Sequence, residues 1–510
     1  MNPVTPQPSR SLLLTIFLLT VIEFLQSGMI AFSAGPIMGE IGAAPEEFSL
    51  ATAAYACIAI TVIAKQRWMV ERIGWRSFVL GSLTIFSIGC LICGTSESFP
   101  AFLIGRIVMG LGGASFMTSG RVIVNLIPPG PGRFRGIKHF ASGLAGGIAF
   151  APGLASFSVA HDRWNLIFGI LIAVAILTAL FAAHSLSDEL VSRELHTQSH
   201  PIGLMALVAG SFTVLYILQR FQYDFFSDIT FLVVGLTLAG LALYYFFRSI
   251  HNHDRPLLEL RSMRYPRYIV GVGIYSLCYL VLGANNYMLP VFMQRTLGFS
   301  WEIVGQFQTM GLLSALFAWV CMAWMIPKWP SAKKFFVIGF LALTMFGWHL
   351  MQLTVSANLW TDVLPALIGN GIFLMFVMAT TAVETFRDVQ HHDAVFSHAQ
   401  QFKNMVAQFA TALGISFSTI ALQWRTSEHY GVLNAKFAAG DPIYLHHVQQ
   451  IANSITSAVG AQAAQSISVA TLAQELTQQS TLLACMDYFS VIAMVGIAGT
   501  VVMLMQRLMK

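Results

Sequence analysis

Long apolar stretches alternate with short polar ones along the chain, from Leu12 to Met505. Each stretch is long enough for a helix to cross a hydrocarbon core about 30 Å thick, which takes about 20 residues. We count fourteen such spans, at 11–34, 48–66, 77–95, 100–124, 137–160, 165–184, 202–220, 229–247, 268–292, 302–326, 335–355, 360–383, 402–424 and 482–506. The strict alternation of barrel strands is missing. The pattern therefore predicts an all-α polytopic membrane protein with fourteen transmembrane helices.

The basic residues between the spans predict the orientation of the chain. With the N-terminus inside, 22 of the 28 Lys and Arg residues fall in inner segments, among them Arg121, Arg193 and Lys403, and five fall outside. Because inner loops of membrane proteins carry the excess of basic residues, we expect both termini to be cytoplasmic. The polar residues 1–10 do not lead into a cleavable signal, so we expect the first span to stay as an anchor. The net charge of +5 is then a topology signal and does not argue for nucleic-acid binding.

Two ionisable residues lie within the apolar spans, where burying a charge is costly. Glu23 is about 12 residues from the inner end of the first span, and Arg106 enters the fourth span from outside by about 6 residues. In a core about 30 Å thick the two fall at similar depth. We expect a Glu23–Arg106 pair, which could serve as a proton site or as a static ion pair between two helices.

Small residues gather in two neighbouring spans, and a charged loop joins the second and third. The fifth span carries Gly143 and Gly147 at i+4 spacing, followed by Pro152 and Gly153 as an expected kink. Small residues in a row let transmembrane helices approach closely. The inner loop from Arg67 to Arg76 contains further charged and flexible positions, which are Glu71, Arg72 and Gly74.

In combination these segments resemble the major facilitator superfamily, specifically its fourteen-span EmrB/QacA-type drug:proton antiporters. The loop at 67–76 is similar to the signature Gly-x-Leu-Ala-Asp-Arg-x-Gly-Arg, with Arg67 at the first Gly and Glu71 at the Asp. Arg106 with Gly110 resembles the fourth-span Arg-x-x-x-Gly signature, whose Arg is implied in proton coupling. The stretch 147–156 resembles the fifth-span antiporter motif, with Ala and Ser in place of its later glycines.

The first span departs from the family pattern. The family places an Asp nine residues before the Pro that ends this span, here Pro36, and that position is Ser27. Glu23 lies one helical turn earlier on the same face, so we infer that it replaces the missing Asp. The alternatives are Asp487 in the last span and Glu384 at the inner end of the twelfth, although both could be interfacial groups.

The resemblance implies a proton-coupled exporter of amphipathic small molecules, of the multidrug-efflux and antibiotic-resistance type, working by alternating access. The expected domains are a six-helix bundle at 1–184, an inserted two-helix segment with its flanking loops at 185–267, and a second six-helix bundle at 268–510. Aromatic, Met and polar side chains near the bundle centre should line an adaptable cargo cavity. The expected cavity residues are Phe24, Ser27, Met29, Phe32, Phe116, Tyr279, Asn285, Asn286, Tyr287 and Phe292.

Other functions remain open at this stage. One alternative is a dedicated exporter of a single metabolite or siderophore-like compound. An enzyme acting on lipid-linked substrates is disfavoured because the carboxylates of the long outer loop, 425–481, are scattered, and no cofactor or metal is expected. That loop should form short amphipathic helices on the outer face, as a lid or as a docking surface for a periplasmic adaptor with an outer-membrane duct. The expected location is the bacterial inner membrane.

Overall fold

The computed structural model describes residues 8–190, 196–224, 228–251, 255–326, 328–329, 331–436 and 442–509. Every regular element in these ranges is helical. Two of the basic residues counted on the inner side, Arg193 and Lys510, lie outside the described residues. Sixteen α-helices occur, which are α1 Arg10–Phe32, α2 Ala34–Ile41, α3 Pro45–Gly94, α4 Phe99–Gly113, α5 Phe116–Leu126, α6 Pro131–Ala160, α7 Leu166–Ser185, α8 Pro201–Asp224, α9 Ile229–His251, α10 Pro266–Val291, α11 Trp301–Met325, α12 Lys333–Leu350, α13 Leu364–Glu384, α14 Asp393–Lys436, α15 Pro442–Val459 and α16 Ala461–Met505.

Thirteen helical segments of the described chain are long and apolar enough to cross a membrane. The longest, α3, has 50 residues and contains one position outside helical geometry, Gly74, with φ 81° and ψ 167°. Large apolar side chains remain exposed around the bundle, including Phe317, Met345 and Leu180 at 72%, 71% and 65%. A surface this apolar is unsuited to water and fits the hydrocarbon of a bilayer.

The helices form two groups and a separate pair. The first group contains α1 and α3 to α7, and the second contains α10 to α14 and α16. Helices α8 and α9 pack on each other, and α8 also packs on α3 and α14. The two groups meet where α11 packs on α6 and where α14 packs on α3 and α5. Side chains from α1, α3, α10 and α14 therefore converge at the centre of the bundle.

The segment 425–481 differs from the expected set of short helices. Helix α14 continues to Lys436 and α16 begins at Ala461, so most of the segment extends two long helices. Among the described residues of this segment, only α15 is a separate helix. The low charge and Ala-rich composition of residues 425–481 favour continuation of α14 and α16 as helices, because Ala, Gln and Leu cost little in a helix interior.

Candidate functional site

Glu23 lies on α1 at the centre of the bundle and is bonded to the other helix group. Nε2 of Gln408, on α14, donates a hydrogen bond of 2.7 Å to Oε1 of Glu23. Glu23 is only 7% exposed, and none of the described protein atoms donates to its Oε2. A buried carboxylate with an unused oxygen is costly unless a further partner or a proton reaches it.

Arg106 lies on α4, and its guanidinium carbon is 4.4 Å from the centre of the Tyr55 ring. The Tyr55 hydroxyl in turn accepts a hydrogen bond of 2.5 Å from Nε2 of Gln26, one turn along α1 from Glu23. Glu23, Gln26, Tyr55 and Arg106 line one cavity of about 50 Å³. The two ionisable residues singled out from the sequence thus face a common space.

The expected ion pair between Glu23 and Arg106 is nevertheless not formed among the described residues. Glu23 is bonded to Gln408, and Arg106 rests on the aromatic face of Tyr55. Gln26 and Tyr55 lie between the two charged groups. Similar depth in a bilayer did not ensure contact, because α1 and α4 are separated at this level by the Tyr55 side chain of α3.

Lys403 is a central residue that the sequence analysis assigned to an inner segment. The side chain lies within α14, is 0% exposed, and has no hydrogen-bond partner for Nζ among the protein atoms described. Nζ lies 4.5 Å from the ring centre of Tyr275 and 5.7 Å from that of Tyr279, both on α10. Lys403 also lies within electrostatic range of Glu23.

Five of the ten expected cavity residues line cavities, four of them near the centre. Ser27 and Tyr287 line the cavity of Arg106, and Phe24, Ser27 and Tyr279 line a neighbouring space of about 30 Å³. Phe32 and Tyr287 line a wider cavity of about 400 Å³ at the end of the bundle that holds Pro36. Spaces of this size are far smaller than a small-molecule pocket of about 300 Å³ or more, so the centre is closed to cargo in this conformation.

The other five expected residues lie elsewhere. Phe116 packs edge-on against Phe86, and Phe292 packs edge-on against Phe489, so each stabilises the interior of one helix group. Asn285 bonds Asn370 and Tyr488, likewise within the second group. The remaining two differ in exposure: Met29 is fully buried in the apolar core, and Asn286 is half-buried.

Residues 67–76, which were expected to form a loop, lie within α3 and are helical except at Gly74. Arg67 bonds Glu71 at 2.7 Å within this segment, and also bonds the carbonyl of Ala394 and the ring of His398 on α14, at 3.2 and 2.9 Å. Glu71 accepts bonds from the backbone N–H and the hydroxyl of Thr197. The charged segment therefore joins the first helix group to α14 and to the residues after α7.

Gly74 and Arg76 lie where this segment of α3 meets the residues that follow α7. The Arg76 N–H bonds the Ser187 carbonyl, while the backbone N–H and the hydroxyl of Ser77 bond Asp188 at 2.9 and 3.0 Å. These bonds, together with the nearby Arg76, hold the pKa of Asp188 below its ordinary value. Arg72 also contacts this region through the Thr197 carbonyl, at 3.1 Å.

The small residues of α6 mark two close helix contacts. A methyl group added at Gly143 would lie 2.5 Å from the Phe17 carbonyl, and one at Gly147 would lie 2.8 Å from Cβ of Phe24. At Gly153, next to Pro152, it would lie 2.7 Å from the Thr309 hydroxyl of α11. Helix α6 therefore packs tightly on α1 and, across the two groups, on α11.

Asp487 and Glu384, the alternatives to Glu23 as the proton-binding carboxylate, are both held in ion pairs. Asp487 accepts from Arg425 at 2.7 Å and lies 2.8 Å from Nε2 of His429, with 41% of its side chain exposed. Glu384 lies 3.8 Å from Arg387 and 4.0 Å from Arg267. Both sets of contacts fit the interfacial interpretation of these two residues.

Two helix groups that meet around a buried polar centre, with an apolar surface outside, define a multi-pass membrane transporter. The family model of the Major Facilitator Superfamily matches residues 16–419. The chain belongs to the major facilitator superfamily.

Bacterial relatives cover most of the chain at low identity. The uncharacterized MFS-type transporter YhcA of Bacillus subtilis (strain 168) is 21% identical over 447 residues, which is 87% of this chain and 82% of YhcA. A protein named for multidrug resistance, MdtD of Enterobacter sp. (strain 638), is 22% identical over 410 residues, covering 80% of this chain and 83% of MdtD.

Solved structures share the fold. A structure described under substrate recognition in proton dependent oligopeptide transporters has a TM-score of 0.58 at 12% identity, covering 98% of this chain and 100% of that one. A bacterial homolog of the human lysosomal transporter Spinster, in an inward-facing conformation, has a TM-score of 0.55 at 14% identity, covering 97% of both chains.

Proposed function

We propose that this protein is a proton-coupled exporter of amphipathic small molecules, of the fourteen-span EmrB/QacA type, in the bacterial inner membrane. The observation that carries the proposal is the Glu23–Gln408 bond. A proton that arrives at Glu23 removes its negative charge and weakens a charge-assisted bond between the two helix groups. Protonation and separation of the groups are thereby linked, which is what an antiporter requires.

The helix arrangement supports two rocking bundles. The proposed bundles are 1–184 and 268–510, with the pair α8 and α9 inserted between them as part of 185–267. The non-helical Gly74 divides α3 into two parts, each long enough to span, which favours a total of fourteen spans. Rocking of two such halves around a central site is the usual motion of secondary transporters.

The opposite ends of the bundle support alternating access. At the Gly74 end, Arg67 of α3 bonds the Ala394 carbonyl of α14, and Nε2 of Gln401 bonds the Ile63 carbonyl at 2.8 Å. The wider cavity of about 400 Å³ lies at the Pro36 end. With the N-terminus placed in the cytoplasm, the conformation is closed towards the inside and partly open towards the outside.

The test uses purified protein in liposomes with an imposed pH gradient and rhodamine 6G as the transported dye. Glu23→Gln keeps the shape of the side chain and its contact with Gln408 but cannot exchange a proton, so gradient-driven transport should fall to background while dye binding remains measurable. The matched control is Glu302→Gln, an exposed carboxylate on α11, which should transport at the wild-type rate. Full transport by Glu23→Gln, or no effect of the gradient on the wild type, would overturn the proposal.

A further inference from the structure

Lys403 has no role in the mechanism proposed so far, although it is the most deeply buried cation of the described chain. Its side chain is 0% exposed and its Nζ donates to no described protein atom. The nearest favourable surfaces are the faces of Tyr275 and Tyr279. A cation–π contact contributes about 2 kcal/mol when desolvated, whereas burying an ammonium costs several. A group kept at such a cost inside a membrane protein marks a functional position.

The charges around Lys403 do not balance. Arg121 of α5 is within electrostatic range of Lys403, and its guanidinium lies 5.1 Å from the Phe396 ring centre and in no described ion pair. Glu23 is the carboxylate within the same range of Lys403, so two basic side chains, Lys403 and Arg121, face one acidic side chain there. The other buried carboxylates, at 71 and 384, are already paired with arginines. The surroundings of Lys403 therefore hold more positive than negative charge, which attracts an anion.

Lys403 is next in the chain to a residue of the central cavity, which is part of the proposed cargo path. Its neighbour Asn404 lines the small central cavity together with Glu23, Tyr279 and Gln408. Asn404 also bonds the Thr118 hydroxyl of α5 at 2.6 Å, across the two helix groups. When the groups separate, that bond breaks and the α14 surface around Lys403 opens towards the path.

We propose that Lys403, with Tyr275 and Tyr279, forms an anion-binding subsite, and that the preferred cargo carries a carboxylate or another acidic group on an apolar body. The subsite rests on the proposed export function and specifies its substrate class. The ammonium group of Lys403 donates a charge-assisted hydrogen bond to the acidic group of the cargo, and the two tyrosine rings pack against the adjoining apolar surface. Glu23 stays free to carry the proton, because the cargo anion pairs with a different side chain.

The experiment measures equilibrium binding to the full-length protein in detergent, without any gradient, by fluorescence anisotropy. The probes are fluorescein, an anion at pH 8, and rhodamine 6G, a cation built on the same xanthene ring. The variants are Lys403→Met, which keeps the length and removes the charge, and Lys403→Arg, which keeps the charge. The matched control is Lys138→Met, because Lys138 also lies over an aromatic ring, Phe134, but is exposed.

The wild type should bind fluorescein more tightly than rhodamine 6G. Lys403→Met should weaken fluorescein binding at least about tenfold, equal to about 1.4 kcal/mol, without weakening rhodamine 6G. Lys403→Arg and Lys138→Met should both stay close to the wild type. Equal losses for the two dyes, a preference for rhodamine 6G, or no saturable fluorescein binding by the wild type would each overturn the subsite.

The two proposals fail separately. Gradient-driven transport of rhodamine 6G without a Lys403-dependent preference for fluorescein would remove the anion subsite and leave proton-coupled export intact. Charge-selective binding of fluorescein without any response of transport to the gradient would do the reverse.

Discussion

Gln408 donates its side-chain N–H to Glu23 over 2.7 Å, although the two residues are 385 positions apart in the chain. The bond joins α1 to α14, and so joins one helix group to the other. It holds the central carboxylate to the other helix group through Oε1, whereas Oε2 has no partner among the described protein atoms. Gln408 therefore couples the position of α14 to Glu23.

Replacing Gln408 by Leu should reduce gradient-driven dye transport at least about tenfold, because a hydrogen bond to a charged group contributes about 1.5–3 kcal/mol. The control is Gln478→Leu on α16, which removes a bond of 2.7 Å to the Thr296 carbonyl within the second helix group. Transport in liposomes measures both variants. A Gln408→Leu protein that transports as fast as the control would contradict the assigned role.

The ring of Tyr55 should matter more to Arg106 than its hydroxyl does. Tyr55→Phe keeps the aromatic face under the guanidinium, while Tyr55→Leu removes it and with it about 2 kcal/mol of cation–π attraction. We expect transport to decrease in the order wild type, Tyr55→Phe, Tyr55→Leu, with thermal unfolding temperatures in the same order. Indistinguishable Phe and Leu variants would mean that the ring contact contributes nothing measurable.

Gly74 should tolerate no side chain. Its φ of 81° is unfavourable for other residues, and an added Cβ would lie 2.6 Å from Cα of Asp188. Gly74→Ala should lower the free energy of unfolding by about 1–2 kcal/mol or more. Gly81→Ala on the same helix is the matched control, because its Cβ would meet nothing within 4 Å. Thermal unfolding in detergent compares the two, and equal unfolding temperatures would refute the prediction.

The hydropathy pattern could predict the helices because a bilayer requires apolar segments of nearly fixed length. It could also place Glu23 and Arg106 near the centre, where both line one cavity. It could not predict that Gln408 bonds Glu23, because the choice of partner depends on how distant helices pack. Local patterns carry no information on a contact between positions 23 and 408.

The burial of Lys403 could not be predicted for a related reason. Helix α14 begins at Asp393, nine residues before the predicted span. Hydropathy does not indicate these first turns as part of a span, because they contain the polar residues His398, Gln400 and Gln401. Those polar side chains face other helices: Gln401 bonds the Ile63 carbonyl, and His398 contacts Arg67. When hydropathy is averaged over such a segment, the low value is typical of a loop although the segment is a buried helix. Polar residues that are buried between helices are therefore invisible to hydropathy, although they build the site.

Helix α14 contacts the first helix group at both ends and in the middle: Arg67 contacts it at Ala394, Glu23 at Gln408 and Glu46 at Gln423. At 1.5 Å per residue, the two end contacts are about 44 Å apart. A continuous helix that tilts about its middle contact moves its two ends in opposite directions. Loosening one end contact then compresses the other. In the proposed alternating-access cycle, this continuous helix would prevent the inner and outer gates from opening together.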